Sequence, residues 1–263
     1  GDGSSNGDTY ISVDGGDNLE ITINSSSKDE IMAASKSLLS SVSIISNFES
    51  STRPTEQYRS AGSGVIYKID KNAGDAYVIT NYHVIYDSKA NTNNKISNNI
   101  NVYLYGQQQD KYKIKAEYVG GSMNYDLAVL KIDASTVLMQ SEALAVDVAN
   151  SDSVCVLETA IAIGNPEGNG ISATVGHVNV ESEYIAMMGA DNATAVEYRV
   201  MRVDTAVNSG NSGGGLFNSR GELIGIVNAK MSNSSIDNIG YAIPSNVVRA
   251  VADNIIYYCD GTE

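Results

Sequence analysis

The chain has 263 residues, 42% of them apolar and 18% charged, which is enough to bury a sizeable core and argues against global disorder. Its formal net charge of −14 excludes the basic stripe that a phosphate backbone requires, so no nucleic acid is expected as a partner, and it disfavours anionic membrane surfaces. No run reaches the ~18 consecutive apolar residues of a spanning helix, so no integral membrane segment is expected in this chain.

Residues 1–40 read as an N-terminal extension or stalk, packing loosely, with a Gly-, Ser-, Asp- and Asn-rich start. Within it, TYISV and NLEITI alternate apolar and polar residues on either side of Asp14-Gly15-Gly16-Asp17, which predicts a small hairpin. Ser27-Lys28-Asp29-Glu30 has acidic residues where a first helical turn favours them, and Ile31, Leu38 and Leu39 give the segment an apolar face to about residue 40. From residue 41 short apolar segments recur between turn residues: SVSIIS, GSGVIYKI, AYVIT, INVYLY, YKIKAEYV and LAVLKID, then VCVLETAIAIG, ATVGHVNV, EYRVMRV, GGLFNS, ELIGIVNA and GYAIP. These strand candidates, with almost no long helix between them, predict an antiparallel all-β fold, barrel or sandwich. Helical crossovers for parallel winding are missing. The weakly periodic stretch Asp133–Asp152 reads as a linker between two six-strand halves, and VVRAVADNIIYY as a closing helix capped by Ser245 or Asn246. The two cysteines, Cys155 and Cys259, permit one disulfide or two small buried residues.

Three short motifs carry chemistry. Gly210-Asn211-Ser212-Gly213-Gly214 places a serine between glycines, where a tight turn lets backbone N–H groups converge on a developing oxyanion. His83, one of two histidines, stands in Thr80-Asn81-Tyr82-His83-Val84, directly after the apolar strand AYVI. Asp126 heads the apolar strand LAVL, where a buried carboxylate needs a donor such as a histidine N–H. Taken singly, each has an ordinary structural reading: a polar turn, a half-buried imidazole, a turn cap. Together they run His, Asp, Ser, the chain order of the chymotrypsin-type triad, with the first two in one half and the serine in the other. His177 alternates with apolar residues and reads as structural; no metal-ligand spacing occurs, and neither metal nor cofactor is expected.

The sequence resembles the HtrA (Deg) family of trypsin-like serine proteases. The resemblance rests on GSGVI at 62–66, TNYHV at 80–84, YDLAVLKID at 125–133, AIGNPEG at 162–168, DTAVNSGNSGGGLFNSRGELIGI at 204–226 and IGYAIPSNVV at 239–248. It implies a chymotrypsin-like double six-stranded antiparallel β-barrel with a C-terminal helix: a protease domain over 41–263, first barrel about 41–133, linker about 134–152, second barrel and closing helix about 153–259. It implies His83 as general base, Asp126 as its orienting carboxylate, Ser212 as nucleophile, and the N–H groups of Gly210 and Ser212 as the oxyanion hole. Specificity-pocket walls would come from Val207 and Asn208, from Asn228, Ala229 and Lys230, and from Gly240 and Ala242. With no acid at the expected base, small or medium aliphatic side chains are the expected fit. Asn211 stands where digestive relatives carry an aspartate, so activity is not expected to depend on a new N-terminus.

Several departures are visible. Ser209 and Gly215 replace prolines that are frequent in the family, and ESEYIAMMGADNATAVE at 181–197 is not family-like. No PDZ domain follows the closing helix within these residues, which puts peptide-sensing activation in question. The expected activity is endoproteolysis of unfolded or misfolded polypeptides outside the cytoplasm: secreted, periplasmic or at the cell surface, with an anchor ahead of Gly1 as one route. A homo-trimer is a possible assembly. The competing readings are a polypeptide-binding, chaperone-like module with an idle site, and a narrow-specificity processing protease.

Overall fold

A computed structural model describes residues 9–13, 19–23, 28–53, 55–165, 170–231 and 239–261, with side chains from residue 32 onward. Strands β1 (Thr9–Val13) and β2 (Leu19–Ile23) pair antiparallel with Thr9 opposite Ile23, as the alternation predicts; the turn between them lies outside the described residues. Helix α1 spans Lys28–Leu39.

Six strands then close the first barrel: β3 (Ser41–Glu49), β4 (Gln57–Asp70), β5 (Asp75–Thr80), β6 (Asn99–Leu104), β7 (Ile114–Ser122) and β8 (Leu127–Ile132), in the order β3-β4-β5-β8-β7-β6. A single turn of helix, α2 (Tyr82–Ile85), follows β5. The two-residue period decides the barrel's filling. Val42 and Ile44, Ile100, Val102 and Leu104, and Leu130 and Ile132 all point inward to one cluster. On β4, β5 and β8 the opposite face is apolar too. Val65, Tyr67, Ile79, Leu127 and Val129 pack against Phe217, Leu223, Ile226 and Ile243 of the second half. That is why GVIY, AYVI and LAVL read as unbroken apolar runs: they are covered on both sides.

The predicted linker contains structure: helix α3 (Thr136–Met139) and a two-residue strand β9 (Asp147–Val148), which pairs parallel with the edge of the second half. That half comprises β10 (Thr159–Gly164), β11 (Ser172–Met188), β12 (Ala195–Val203), β13 (Gly215–Phe217), β14 (Glu222–Val227) and β15 (Gly240–Pro244). They run β13-β10-β11-β12-β15-β14, and pairing of β13 with β14 returns the ring on itself. The architecture is thus the expected pair of six-stranded antiparallel barrels. β11 and β12 are longer than the predicted strands. The segment 181–197 extends them as a two-stranded ribbon, paired in register from Glu183–Val200 to Met188–Ala195.

Helix α4 (Ser245–Asp260) closes the molecule, packing against β7, β8 and β14 and ending on Gly261 in the left-handed conformation. Tyr67 Oη donates to Asp253 Oδ1 at 2.5 Å, and Tyr77 Oη and Lys131 Nζ converge on Asp260. Neither expected capping side chain caps it. Ser245 Oγ donates to Ala149 O at 2.8 Å and Asn246 Oδ1 accepts from Ser151 N–H at 3.1 Å, so both hold the preceding linker instead.

The extension is not loose throughout. From Ala33 on, α1 lies against the β13–β14 turn, where the backbone of Ala33 leaves no space for a Cβ at Gly221. Lys36 forms an ion pair with Asp147, Leu144 N–H donates to Leu39 O, and Ile66 N–H to Ser40 O. Cys155 and Cys259 are both exposed and free, so the chain carries neither the disulfide nor the two buried thiols.

Candidate active site

The end of β5 delivers Thr80 and Asn81 into the interior, and α2 then turns His83 towards the junction of the barrels. Asp126 sits just ahead of β8 with φ of +51°, a conformation that aspartate tolerates better than most residues. Its backbone carbonyl accepts from Asn81 Nδ2 at 2.9 Å and Tyr82 N–H at 3.1 Å, tying the two loops together.

The Asp126 carboxylate, in a residue only 2% exposed, takes three hydrogen bonds. His83 N–H donates to Oδ1 at 2.9 Å, His83 Nδ1 meets Oδ2 at 2.6 Å, and Asn228 Nδ2 donates to Oδ2 at 2.8 Å. Burial opposes ionisation here, but the charge of His83 and these bonds more than offset it, so the carboxyl lies below the usual range. With Nδ1–H donated to the carboxylate, the ring's other nitrogen, Nε2, is left for a second partner.

Ser212 follows a 3₁₀ turn over Ser209–Asn211. Gly213, at φ +85°, reverses the chain where a Cβ would stand 2.3 Å from both Ser63 O and Thr80 Oγ1. Ser63, fully buried on β4, is the hub of the turn: its Oγ donates to Gly210 O at 2.7 Å and accepts from Asn165 N–H at 2.7 Å, while its N–H donates to Ser212 O at 2.9 Å. A first-barrel strand therefore holds the second barrel's serine. Asn211 packs on Gly164, where a Cβ would lie 2.6 Å from Asn211 Oδ1.

The structure brings His83 and Asp126 into direct contact and sets Ser212 against the same short segment that binds Asp126. Ser212 Oγ accepts from Ala229 N–H at 3.0 Å, and among the described residues no hydrogen bond joins it to His83. Ser212 N–H is directed to Ser209 O at 3.4 Å, inside the turn. The residues expected as pocket walls divide. Val207 and Asn208 line a cavity of about 190 Å³ with Ala162, Thr174 and Asn211. A Cβ on Gly240 would meet Val207 Cγ2 at 3.2 Å. Ala242 is wholly inside the core of the second barrel, and the Asn228 side chain is fully buried on Asp126. Lys230 Nζ donates to Gly189 O at 2.8 Å; burial lowers its pKa against the opposing charges of Asp126 and Asp191. A larger cavity, of about 420 Å³, lies beside Phe48, Tyr58 and Asn99 and includes none of these residues. Among the described residues no three His, Cys, Asp or Glu side chains are grouped to hold a metal.

Sequence reasoning missed Ser63 and Asn165 as organisers of the serine turn, and it assigned Asn228 to a pocket wall. A signal for Asn228 exists: an amide at the end of the fully apolar strand LIGIV must find a buried partner.

Two antiparallel six-stranded barrels, with a histidine–carboxylate pair and a Gly-Asn-Ser-Gly turn at their junction, define the trypsin-like class. The family model described as a trypsin-like peptidase domain matches residues 62–226, and the chain belongs to that family. Curated relatives of the chain include HtrA-type proteases. The serine protease Do-like HtrA of Lactococcus lactis subsp. lactis (strain IL1403) is 38% identical over 199 residues, 73% of this chain and 44% of the relative. The periplasmic pH-dependent serine endoprotease DegQ of Escherichia coli (strain K12) is 35% identical over 206 residues, 78% of this chain and 39% of the relative. Among solved structures, the HtrA-type protease AlgW with tripeptide superposes with a TM-score of 0.63 at 29% identity, covering 86% of this chain and 63% of that one. The chain spans less than half the length of these curated relatives.

Proposed function

We propose that this domain is a serine endopeptidase of the HtrA type, acting on unfolded polypeptides, with Ser212 as nucleophile, His83 as general base and Asp126 as the residue that orients it. The observation that carries the reading is the saturated Asp126 carboxylate. Held by His83 Nδ1, His83 N–H and Asn228 Nδ2, it fixes the tautomer whose Nε2 takes a proton from serine. Substrate carbonyl attack by Ser212 Oγ gives an acyl-enzyme and an amine that leaves with that proton; water activated by His83 then releases the acid.

In this reading two hydrogen bonds of Ser212 are exchanged on the way to the reactive arrangement. Ser212 Oγ leaves Ala229 N–H for His83 Nε2, and Ser212 N–H leaves Ser209 O to join Gly210 N–H in an oxyanion hole. Those two contacts favour a switchable enzyme as a second feature of the same reading. An extracytoplasmic setting follows the relative named as periplasmic. Assembly as a homo-trimer rests on the family resemblance alone, and light scattering tests it.

Hydrolysis of unfolded casein tests the activity: Ser212→Ala is expected to lower turnover by ~10³-fold or more. A wild-type chain that neither cleaves casein nor reacts with a fluorophosphonate at Ser212 would instead be the idle, chaperone-like module.

A further inference from the structure

Lys230 lies one residue past Ala229, whose N–H touches Ser212 Oγ at 3.0 Å. The backbone that carries Lys230 is therefore next to the proposed nucleophile. Nζ donates to Gly189 O at 2.8 Å, at the tip of the β11–β12 ribbon. A carbonyl takes one of the three ammonium N–H groups and supplies no net charge. Among the described residues no carboxylate lies within ion-pair distance of Nζ.

The two acids whose charge reaches Lys230, Asp126 and Asp191, are both engaged elsewhere. Asp126 serves His83 and Asn228. Asp191 accepts from Thr194 Oγ1 at 2.6 Å, Thr194 N–H at 2.9 Å and Ala193 N–H at 3.0 Å, closing its own turn. Met123 lies against Gly189, and Tyr198 Oη donates to Met123 O at 3.2 Å. A half-buried ammonium has lost part of its hydration without gaining an ion-pair partner among the described residues, and a carboxylate arriving beside it restores that balance. The lowered pKa of Lys230 has the same origin.

We propose that Lys230 reads a carboxylate on the polypeptide substrate, so that chains with an acidic group near the scissile bond are bound in preference to neutral ones. The inference rests on the protease reading above and adds a class of substrate to it. The carboxylate comes either from an Asp or Glu side chain or from a nearby chain terminus, since both offer the same two oxygens.

The test separates the two readings by measuring binding without turnover. Fluorescence anisotropy is recorded for Ser212→Ala with peptides in which a single Glu or Gln is walked along an otherwise uncharged, end-blocked sequence. A parallel set carries a free C-terminal carboxylate. At one or two positions Glu is expected to bind about five- to tenfold more tightly than Gln. Adding Lys230→Met should bring the Glu/Gln ratio to near one, and Lys230→Arg should restore most of it. A ratio of one in the Ser212→Ala parent for both sets, or a ratio that survives Lys230→Met, overturns the proposal. A preference confined to the free-terminus set supports it and assigns the carboxylate to the chain end. Hydrolysis of the Gln peptides by the wild type reports the protease reading separately, so loss of one leaves the other standing.

Discussion

Asp126 concentrates the residue-scale energetics of this domain. Three donors hold one buried carboxylate, and removing any of them leaves the charge one hydrogen bond short in a place water does not reach. Asn228→Ala is expected to destabilise the fold by about 1–3 kcal/mol, read as a lower urea midpoint. It should also lower kcat about tenfold as the imidazole loses its fixed support. The pH dependence follows from the same contacts. The folded carboxyl ionises below the ~3.9 of an unfolded aspartate. The stabilisation is therefore fully present above that value and is lost as pH falls through the folded pKa. Urea midpoints followed downward from pH 6 should fall more steeply in the wild type than in Asp126→Asn, the difference opening below about pH 4. Parallel curves would mean that the carboxylate gains nothing from its partners.

At the scale of elements, strand β4 does more than complete a barrel. Its Ser63 supplies three of the hydrogen bonds that shape the serine turn, which belongs to the other barrel. Ser63→Ala strands Gly210 O and Asn165 N–H in a buried site, at a cost of about 1–3 kcal/mol. It should reduce fluorophosphonate labelling of Ser212 more than it reduces secondary structure by circular dichroism. Equal losses would make Ser63 a residue of the general core. The GSG spelling of this strand marks it in the sequence, but nothing local says that its hydroxyl reaches residues 147 and 102 positions away. The β11–β12 ribbon was hidden for a related reason. Outside the barrel its residues Tyr184 and Met188 are exposed, so the apolar signal that announces a half-buried strand is diluted.

The whole molecule is held as one unit by shared surfaces. One apolar cluster takes Val65, Ile79 and Val129 from the first barrel, Phe217 and Ile226 from the second, and Ile255 and Ile256 from α4. Ile256→Ala should cost about 2–4 kcal/mol and leave a single cooperative thermal transition, because the helix bears on both barrels at once. Two resolved transitions in calorimetry would show the barrels to be independent.

What the sequence determined by itself was the strand pattern, the two-barrel fold and the His83–Asp126 contact; the proposed trio with Ser212 was read from the same local motifs. Alternation, turn residues and chain order are local quantities, each carried by neighbouring letters. His83 and Asp126 were legible because a histidine at a strand end and an acid before LAVL are costly without partners. Only the tertiary structure decided how these groups are arranged. The Asn228 side chain donates to the Asp126 carboxylate, Ala242 is in the core of the second barrel, and Ser212 Oγ accepts from Ala229 N–H. Those outcomes depend on hydrogen-bond directions across two barrels that meet far apart in the chain, and no run of neighbouring residues encodes a direction.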